Sequence, residues 1–442
     1  MKILFRTLAG ISFGVAAAEH AVPTHDVIAA RTPRFETGFE RDHLTGDWNG
    51  MRTRLVEQGI HLSAGYTGEV ISNLEGGMRR GAIYEGIFEL GVELDFEKLG
   101  FWDGALLKFS AINLHGASPT AKLVGDFFAV SSIDAYDSFR LYELWYEQNF
   151  FEDQFSLRLG NLLADDEFAG TENGGVMMNA AFGWPAFISA NTVNTGPAFF
   201  VTAPGARLRY QPAKSVYIQA ALFDGDSFDD ANGNPRTTRY GTHWELNSGQ
   251  GVFAISEAGF GWNSEDAYPG ILKLGVWGHS ADFSDNYLDE AGIPIAISGG
   301  NPRIHEGNYG GYLVAEQKLY AETEAEGLGA WGRVGASPPD RGFFEYSFDF
   351  GLNYTGLLPG REEDILATGF VYARISKDIV ASERLSGMNP LSDYEAGWEI
   401  TYMLQVSKWL SVQPDLQIIF HPGGSSALDN AIVAGVRFNL VF

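Results

Sequence analysis

From Ile60 onward the chain repeats apolar and polar positions with a period of two. In the stretch 84–96, Tyr84, Phe88, Leu90, Val92, Leu94 and Phe96 alternate with Glu85, Glu89, Glu93 and Asp95. Tyr346, Phe348, Phe350, Leu352 and Tyr354 alternate in the same way with Glu345, Ser347, Asp349 and Asn353. Trp398, Ile400, Tyr402, Leu404 and Val406 do so with Glu395, Glu399, Thr401 and Gln405. Successive side chains of a strand point to opposite faces, so each stretch has one apolar and one charged face. Strands of about ten residues with that division fit a transmembrane barrel, whereas strands in soluble sandwiches run nearer about five or six residues. The pattern marks sixteen strands, at 60–73, 83–96, 105–115, 138–149, 155–162, 204–210, 216–223, 252–262, 270–281, 308–320, 327–336, 343–354, 364–375, 394–406, 410–420 and 431–442. It predicts an all-β fold, a transmembrane antiparallel β-barrel of 16 strands over residues 60–442.

The connections add independent support. Those after even-numbered strands are short, as at 211–215 and 407–409, and those after odd-numbered strands are often long, as at 116–137, 163–203, 224–251 and 282–307. Short periplasmic turns alternating with long outer loops are the asymmetry of an outer-membrane barrel. The last strand carries Ile432, Ala434, Val436, Phe438, Leu440 and Phe442 on one face, and a strand ending on an aromatic suits recognition by the outer-membrane assembly machinery. Upstream, Lys2 and Arg6, the apolar run Leu8–Ala18 and Ala16-Ala17-Ala18 read as a signal peptide over 1–18. A polar, flexible lead-in follows over 19–43. At 44–59, Asp47 and Gly59 bracket a short periplasmic or plug helix with Trp48, Met51, Leu55 and Val56 on one face.

Composition narrows the function. Lys+Arg 30 against Asp+Glu 56 gives a net charge of -26, which excludes a phosphate-backbone binder and so nucleic acid as a partner. The absence of Cys removes disulfides, thiolate metal sites and thiol nucleophiles. Adjacent Asp165 and Asp166 do not make a glycosidase pair, because neighbouring strand side chains face opposite ways, and no enzyme activity is expected. The acidic segment 224–234 has the oxygen-rich look of a calcium loop. Pro235, however, stands where an EF-hand frame starting at Asp230 needs glycine, so a solvated loop is the favoured reading over calcium. No cofactor is expected.

Taken in order, several segments resemble the carbohydrate-selective porins of the OprB type. They include Leu44-Thr45-Gly46-Asp47-Trp48-Asn49-Gly50, Leu141-Tyr142-Glu143-Leu144-Trp145-Tyr146, Leu157-Arg158-Leu159-Gly160-Asn161 with Asp165-Asp166-Glu167-Phe168, and Ala203-Pro204-Gly205-Ala206-Arg207-Leu208-Arg209-Tyr210. Further matches are Phe223-Asp224-Gly225-Asp226, Gly356-Leu357-Leu358-Pro359-Gly360-Arg361, Trp409-Leu410-Ser411-Val412-Gln413-Pro414-Asp415-Leu416-Gln417 and His421-Pro422-Gly423-Gly424. Asn49 departs from the family pattern, which has glycine there. The resemblance implies a sixteen-stranded channel for sugars, with glucose the best-known substrate, in the Gram-negative outer membrane.

A barrel of this size leaves an aqueous channel, so selectivity rests on what narrows it. The loop 163–203 is expected to fold inward, carrying Asp165, Asp166 and Glu167 at its start and Phe182, Trp184 and Phe187 further on. Alternation turns Arg158, Arg207 and Arg209 to the lumen, opposite Leu157, Leu159, Ala206, Leu208 and Tyr210. Sugars present hydroxyls at their edges and C–H groups on their faces, so charged hydrogen-bonders with aromatic platforms suit them. The candidate sugar-binding residues are therefore Arg158, Asp165, Glu167, Trp184, Arg207, Arg209, Trp277 and Arg333, with Trp145 and Trp331 as further lumen platforms. For Arg333, a wall-stiffening pair with Glu345 or Asp349 is the favoured reading. Glu85, Glu89, Glu93, Glu395 and Glu399 are expected to set a cation-attracting field. A general cation-preferring porin and a secretion-associated structural barrel are the alternatives. The expected partners are sugars, outer-membrane lipid and the assembly machinery acting on Phe442, and the pattern fits both a monomer and a homotrimer.

Overall fold

The computed structural model describes residues 41–263, 268–323, 325–387 and 392–442. The expected signal peptide (1–18) and nearly all of the lead-in (19–43) lie outside the described residues. In chain order the strands begin with β1 (Ile60–Glu75), β2 (Gly81–Asp95), β3 (Ala105–Gly116), β4 (Ser138–Phe150), β5 (Phe155–Leu162) and β6 (Ala203–Ala213). Next come β7 (Val216–Asp224), β8 (Val252–Trp262), β9 (Gly270–Asp289), β10 (Pro302–Ala321) and β11 (Gly327–Ala336). The last are β12 (Phe344–Thr355), β13 (Ile365–Ile375), β14 (Tyr394–Ser407), β15 (Leu410–Phe420) and β16 (Ala431–Val441). Consecutive strands pair, and β1 pairs antiparallel with β16, so the sheet closes into a barrel of sixteen.

Alternation explains both closure and register. On β9, Leu272, Leu274 and Val276 are exposed on the outer wall while Trp277 and His279 are buried within. Charged Glu257, Glu316, Arg333, Asp349, Glu395 and Glu399 are all buried on the lumen side. A soluble protein buries its apolar face; here that face is the outer one, as contact with lipid requires. A one-residue slip of β14 would turn Glu395 and Glu399 to the lipid face, where charged side chains are destabilising in a depth-dependent way.

Two details differ from the reading of the pattern. The outer connection expected at 282–307 is mostly strand: β9 runs to Asp289 and β10 starts at Pro302, leaving 290–301 as the loop. Residues 282–289 are rich in Asp, Asn and Ser because this extension has no lipid to face, so alternation gave no sign of it. The helix expected over 44–59 is confined to α1 (Met51–Glu57), after a short 3-10 turn at Trp48–Gly50. Asn49 and Gly50 have left-handed backbones (φ 57 and 82), and asparagine takes that region more readily than most residues, which is how it stands where the family has glycine. Asp47 accepts the Thr53 backbone N–H at 2.9 Å, and Gly59, also left-handed, ends the helix. The helix lies at the rim beside the end of β16. There Arg52 stacks over Trp48 and donates to the Phe442 carbonyl at 2.7 Å. The other helices, α2 (Ala186–Ser189), α3 (Ile295–Ser298) and α4 (Lys377–Ser386), sit in outer loops.

Candidate functional site: a charged constriction beneath the inward loop

The connection between β5 and β6, residues 163–202, folds into the lumen. Its apolar residues give the barrel an internal core. Trp184, Phe187 and Ile188 pack with wall residues Trp145, Phe253, Trp277 and Tyr312, while Met177 and Phe182 meet Trp331. Phe187 stacks on Tyr312 with ring centroids 5.8 Å apart. Trp184 is completely buried and donates its indole N–H to the Thr195 carbonyl at 2.9 Å. Trp277 and Trp331 are only 3% and 4% exposed. These tryptophans, expected as platforms in an open channel, lie where loop meets wall.

Polar residues of the wall complete the attachment. Arg333 pairs with Asp349 at 3.0 Å, its partner directly across the β11–β12 ladder. Its remaining N–H groups reach the carbonyls of Ala169 and Gly183 (2.9 and 2.7 Å) and of Ala181 and Phe182 (2.9 and 2.8 Å). A guanidinium has five N–H donors, and all of them are engaged. Wall glutamates do the reciprocal work on loop N–H groups. Glu257 accepts from Ala169 (2.9 Å), and Glu316 from Glu172 and Asn173 (3.1 and 2.9 Å). Glu399 accepts from Met178 and Asn179 (2.6 and 2.9 Å). Glu395 holds Phe127 and Phe128 of the β3–β4 loop at 2.9 and 3.0 Å. Glu395, Glu399 and Glu85 are therefore buried beneath loops and do not stand at the pore mouth as the field charges expected of them; Glu89 and Glu93 remain partly exposed.

A polar cavity lies beside the start of this loop. Glu147, Arg158 and Arg207 face one another in register on β4, β5 and β6. Glu147 contacts Arg158 Nε at 2.5 Å and Arg207 Nη2 at 3.0 Å. Glu167, arriving with the loop, contacts Arg158 Nη1 at 2.9 Å and Arg207 Nε at 2.6 Å, the latter a charge contact without hydrogen-bond alignment. Two arginines and two glutamates thus alternate in a ring of zero net charge. Arg207 is almost fully buried, while the Arg158 side chain keeps about a fifth of its surface open. Arg158 lies 4.0 Å above the Trp145 ring, and Arg209 lies 4.3 Å above Tyr217 while donating to Gln219 at 3.2 Å. Glu147, Arg158, Glu167, Arg207 and Arg209, with Asn149, Asp153, Ser156 and Asp166, line the polar cavity of about 390 Å³.

Of the residues singled out from sequence, Arg158, Glu167, Arg207 and Arg209 converge on this cavity. Asp165 turns away into the base of the loop, where it accepts the Phe199 N–H at 3.0 Å, and burial pushes its carboxyl up to about 7. Trp184, Trp277 and Arg333 belong to the loop–wall attachment. Sequence reasoning missed Glu147, although a signal existed: with Trp145 facing the lumen, alternation places Glu147 there too. Within 224–234, Asp226 accepts the backbone N–H groups of Phe228 and Asp230 at 3.0 Å each, so its carboxylate serves the loop's own turn.

A closed sixteen-strand barrel with an apolar outer belt, a charged lumen and inward-folded loops is an outer-membrane porin of a Gram-negative cell, a channel rather than an enzyme. The family model for carbohydrate-selective porins, OprB family, matches residues 79–442, and the chain belongs to that family. Porin B of Pseudomonas aeruginosa is 25% identical over 428 residues, covering 90% of this chain and 91% of that protein. The putative porin QuiX of Acinetobacter baylyi is 20% identical, covering 91% and 94%. The high-pH structure of Pseudomonas putida OprB superposes with a TM-score of 0.82 at 26% identity, covering 92% of this chain and 100% of that one.

Proposed function

We propose that this porin carries glucose and other small carbohydrates by facilitated diffusion, and that the constriction at Glu147, Arg158, Glu167, Arg207 and Arg209 is where they are recognised. The observation that carries the reading is the alternating charged ring lining a cavity of about 390 Å³, which lies within the range of small-ligand sites. Fork donors and carboxylate acceptors side by side match vicinal hydroxyls, which both donate and accept. The ring has no net charge, so at this level it is poorly suited to filter ions by sign. The Trp145 and Tyr217 rings lie behind the guanidiniums and keep them oriented toward the water-filled side.

Single-channel current in a planar bilayer tests this. Glucose is expected to block the current saturably, and a non-sugar polyol of equal size is expected not to. Conduction indifferent to every sugar would instead favour a general cation-preferring porin.

A further inference from the structure

The ladder between β8 and β9 ends at Phe253 and His279, whereas β9 and β10 continue together to Asp289 and Pro302. This extension rises past its neighbour at the outer mouth. There Asp285 of β9 and His305 of β10 meet Asp340 of the β11–β12 loop. His305 Nε2 lies 2.9 Å from Asp285 Oδ2 and 3.7 Å from Asp340 Oδ2. One donor atom from each residue lies within 4.8 Å of the others.

Each donor is held from behind. Asp285 Oδ1 accepts the N–H groups of Tyr287 and Leu288 at 2.8 and 2.7 Å, which leaves Oδ2 facing the histidine. The Arg341 guanidinium grips both Asp340 oxygens at 2.9 and 3.0 Å, and each oxygen keeps a second lone pair. Asn286 fastens the loop to β9 by donating its backbone N–H to the Asp340 carbonyl at 2.7 Å. Three separate elements thus deliver one imidazole and two carboxylates to a common point.

We propose that Asp285, His305 and Asp340 bind one divalent transition-metal ion of the zinc class at the outer mouth. An imidazole with two carboxylates is a donor set for zinc, with a fourth position left to water. Bonds of about 2.0–2.1 Å in a tetrahedron set donors roughly 3.3 Å apart, a value bracketed by the two histidine distances. Calcium, which takes about six to eight oxygens, fits a nitrogen-containing triad poorly. The site also reaches the constriction loop: Asn191 accepts the N–H groups of Phe343 and Phe344 at 2.7 and 3.1 Å, next to the loop that carries Asp340. An ion here clamps the extended hairpin to the segment that holds the inward loop.

The test uses chelator-stripped full-length protein in detergent, titrated with zinc by calorimetry and with cobalt by visible absorption. One equivalent is expected to bind, and excess calcium or magnesium is expected not to compete. His305→Gln, and separately Asp340→Asn on the more exposed loop, should each weaken binding at least tenfold, as loss of even outer-shell support does. His421→Gln should leave binding unchanged. X-ray absorption at the zinc edge on the wild-type protein needs no variant, and should show one imidazole nitrogen among oxygen donors. Absence of saturable zinc binding, affinity unchanged in both variants, or two or more imidazoles around the ion would overturn the proposal.

Discussion

Arg158 and Arg207 stand directly opposite one another on β5 and β6, an arrangement that is repulsive when nothing lies between the charges. Glu147 and Glu167 remove that repulsion, one from the wall and one from the loop, so the four groups stand or fall together. In Arg207→Ala both glutamates are left to Arg158, and the ring acquires a negative charge. A charge-assisted contact to sugar in a shielded site is worth about 1.5–3 kcal/mol, so sugar block of the current should weaken roughly tenfold or more. Cation preference should rise with it in reversal-potential measurements, and unchanged sugar affinity would place recognition elsewhere. Arg333 is a different case, because its donors serve the protein itself. Arg333→Ala strands the buried Asp349 charge and frees four loop carbonyls, and breaking a buried pair from one side costs about 3–5 kcal/mol. Its expected result is a lower unfolding temperature by heat-modifiable mobility and a noisier, larger conductance. Wild-type conductance with wild-type stability would show that the loop is held without it.

At the scale of elements, the inward loops carry carboxyl groups whose protonation is tied to packing. In the β3–β4 loop, burial pushes Asp126 up to about 6 and Asp134 up to about 7 from an ordinary 3.8, with Asp126 adding to the shift at Asp134. Each group holds its proton more tightly in the packed loop than in a released one. The packed state is therefore favoured fully below pH 3.8 and loses that advantage progressively as pH rises to about 7. Amide exchange at Ala129 and Val130, corrected for the intrinsic effect of pH, should show protection falling from about pH 4 to about pH 7. Asp134→Asn should flatten the dependence, and a slope of opposite sign would remove the argument. This level also shows where sequence is readable and where it is not. The strands were legible because lipid on one side and water on the other imposes a period of two along each of them. The inward course of 163–202 was expected from the loop's length and from the inward-folding loop of general porins, not from any local pattern. What its residues touch was not legible: Glu399 caps Met178 and Asn179 from more than 200 positions away, and its place in an alternating strand looks the same whether it meets water or a loop. Arg158, Glu167 and Arg207 were legible by parity and proximity to the loop, whereas the engagement of Arg333 depended on a fold of the loop that no local pattern records.

At the scale of the whole molecule, the barrel exists only once β16 finds β1. The seam is registered from Gly65 and Val441 to Glu75 and Ile432, and a buried contact between Arg437 and Glu69 at 2.5 Å crosses it. Its periplasmic end is held by several groups. Phe442 donates its N–H to the Ala64 carbonyl at 2.9 Å, its ring meets Phe88 edge-on at 5.9 Å, and Arg52 of α1 holds its carbonyl. Phe442 closes the apolar row that began at Ile432, so it is both a packing residue and the end of the strand that assembly machinery is proposed to recognise. The two roles separate by magnitude. At the membrane interface a charged side chain on the lipid face costs only about 0–1 kcal/mol, and acidic residues cost less than basic ones. Phe442→Asp should therefore change the stability of an already folded barrel little, while damaging any recognition that depends on an apolar end. The expected outcome is a several-fold drop in heat-modifiable folded protein in the outer membrane of cells, with near wild-type yield when the same variant is refolded into detergent. Equal losses in both settings would make Phe442 a packing residue only, and normal levels in cells would show that the strand's recognition lies elsewhere along β16.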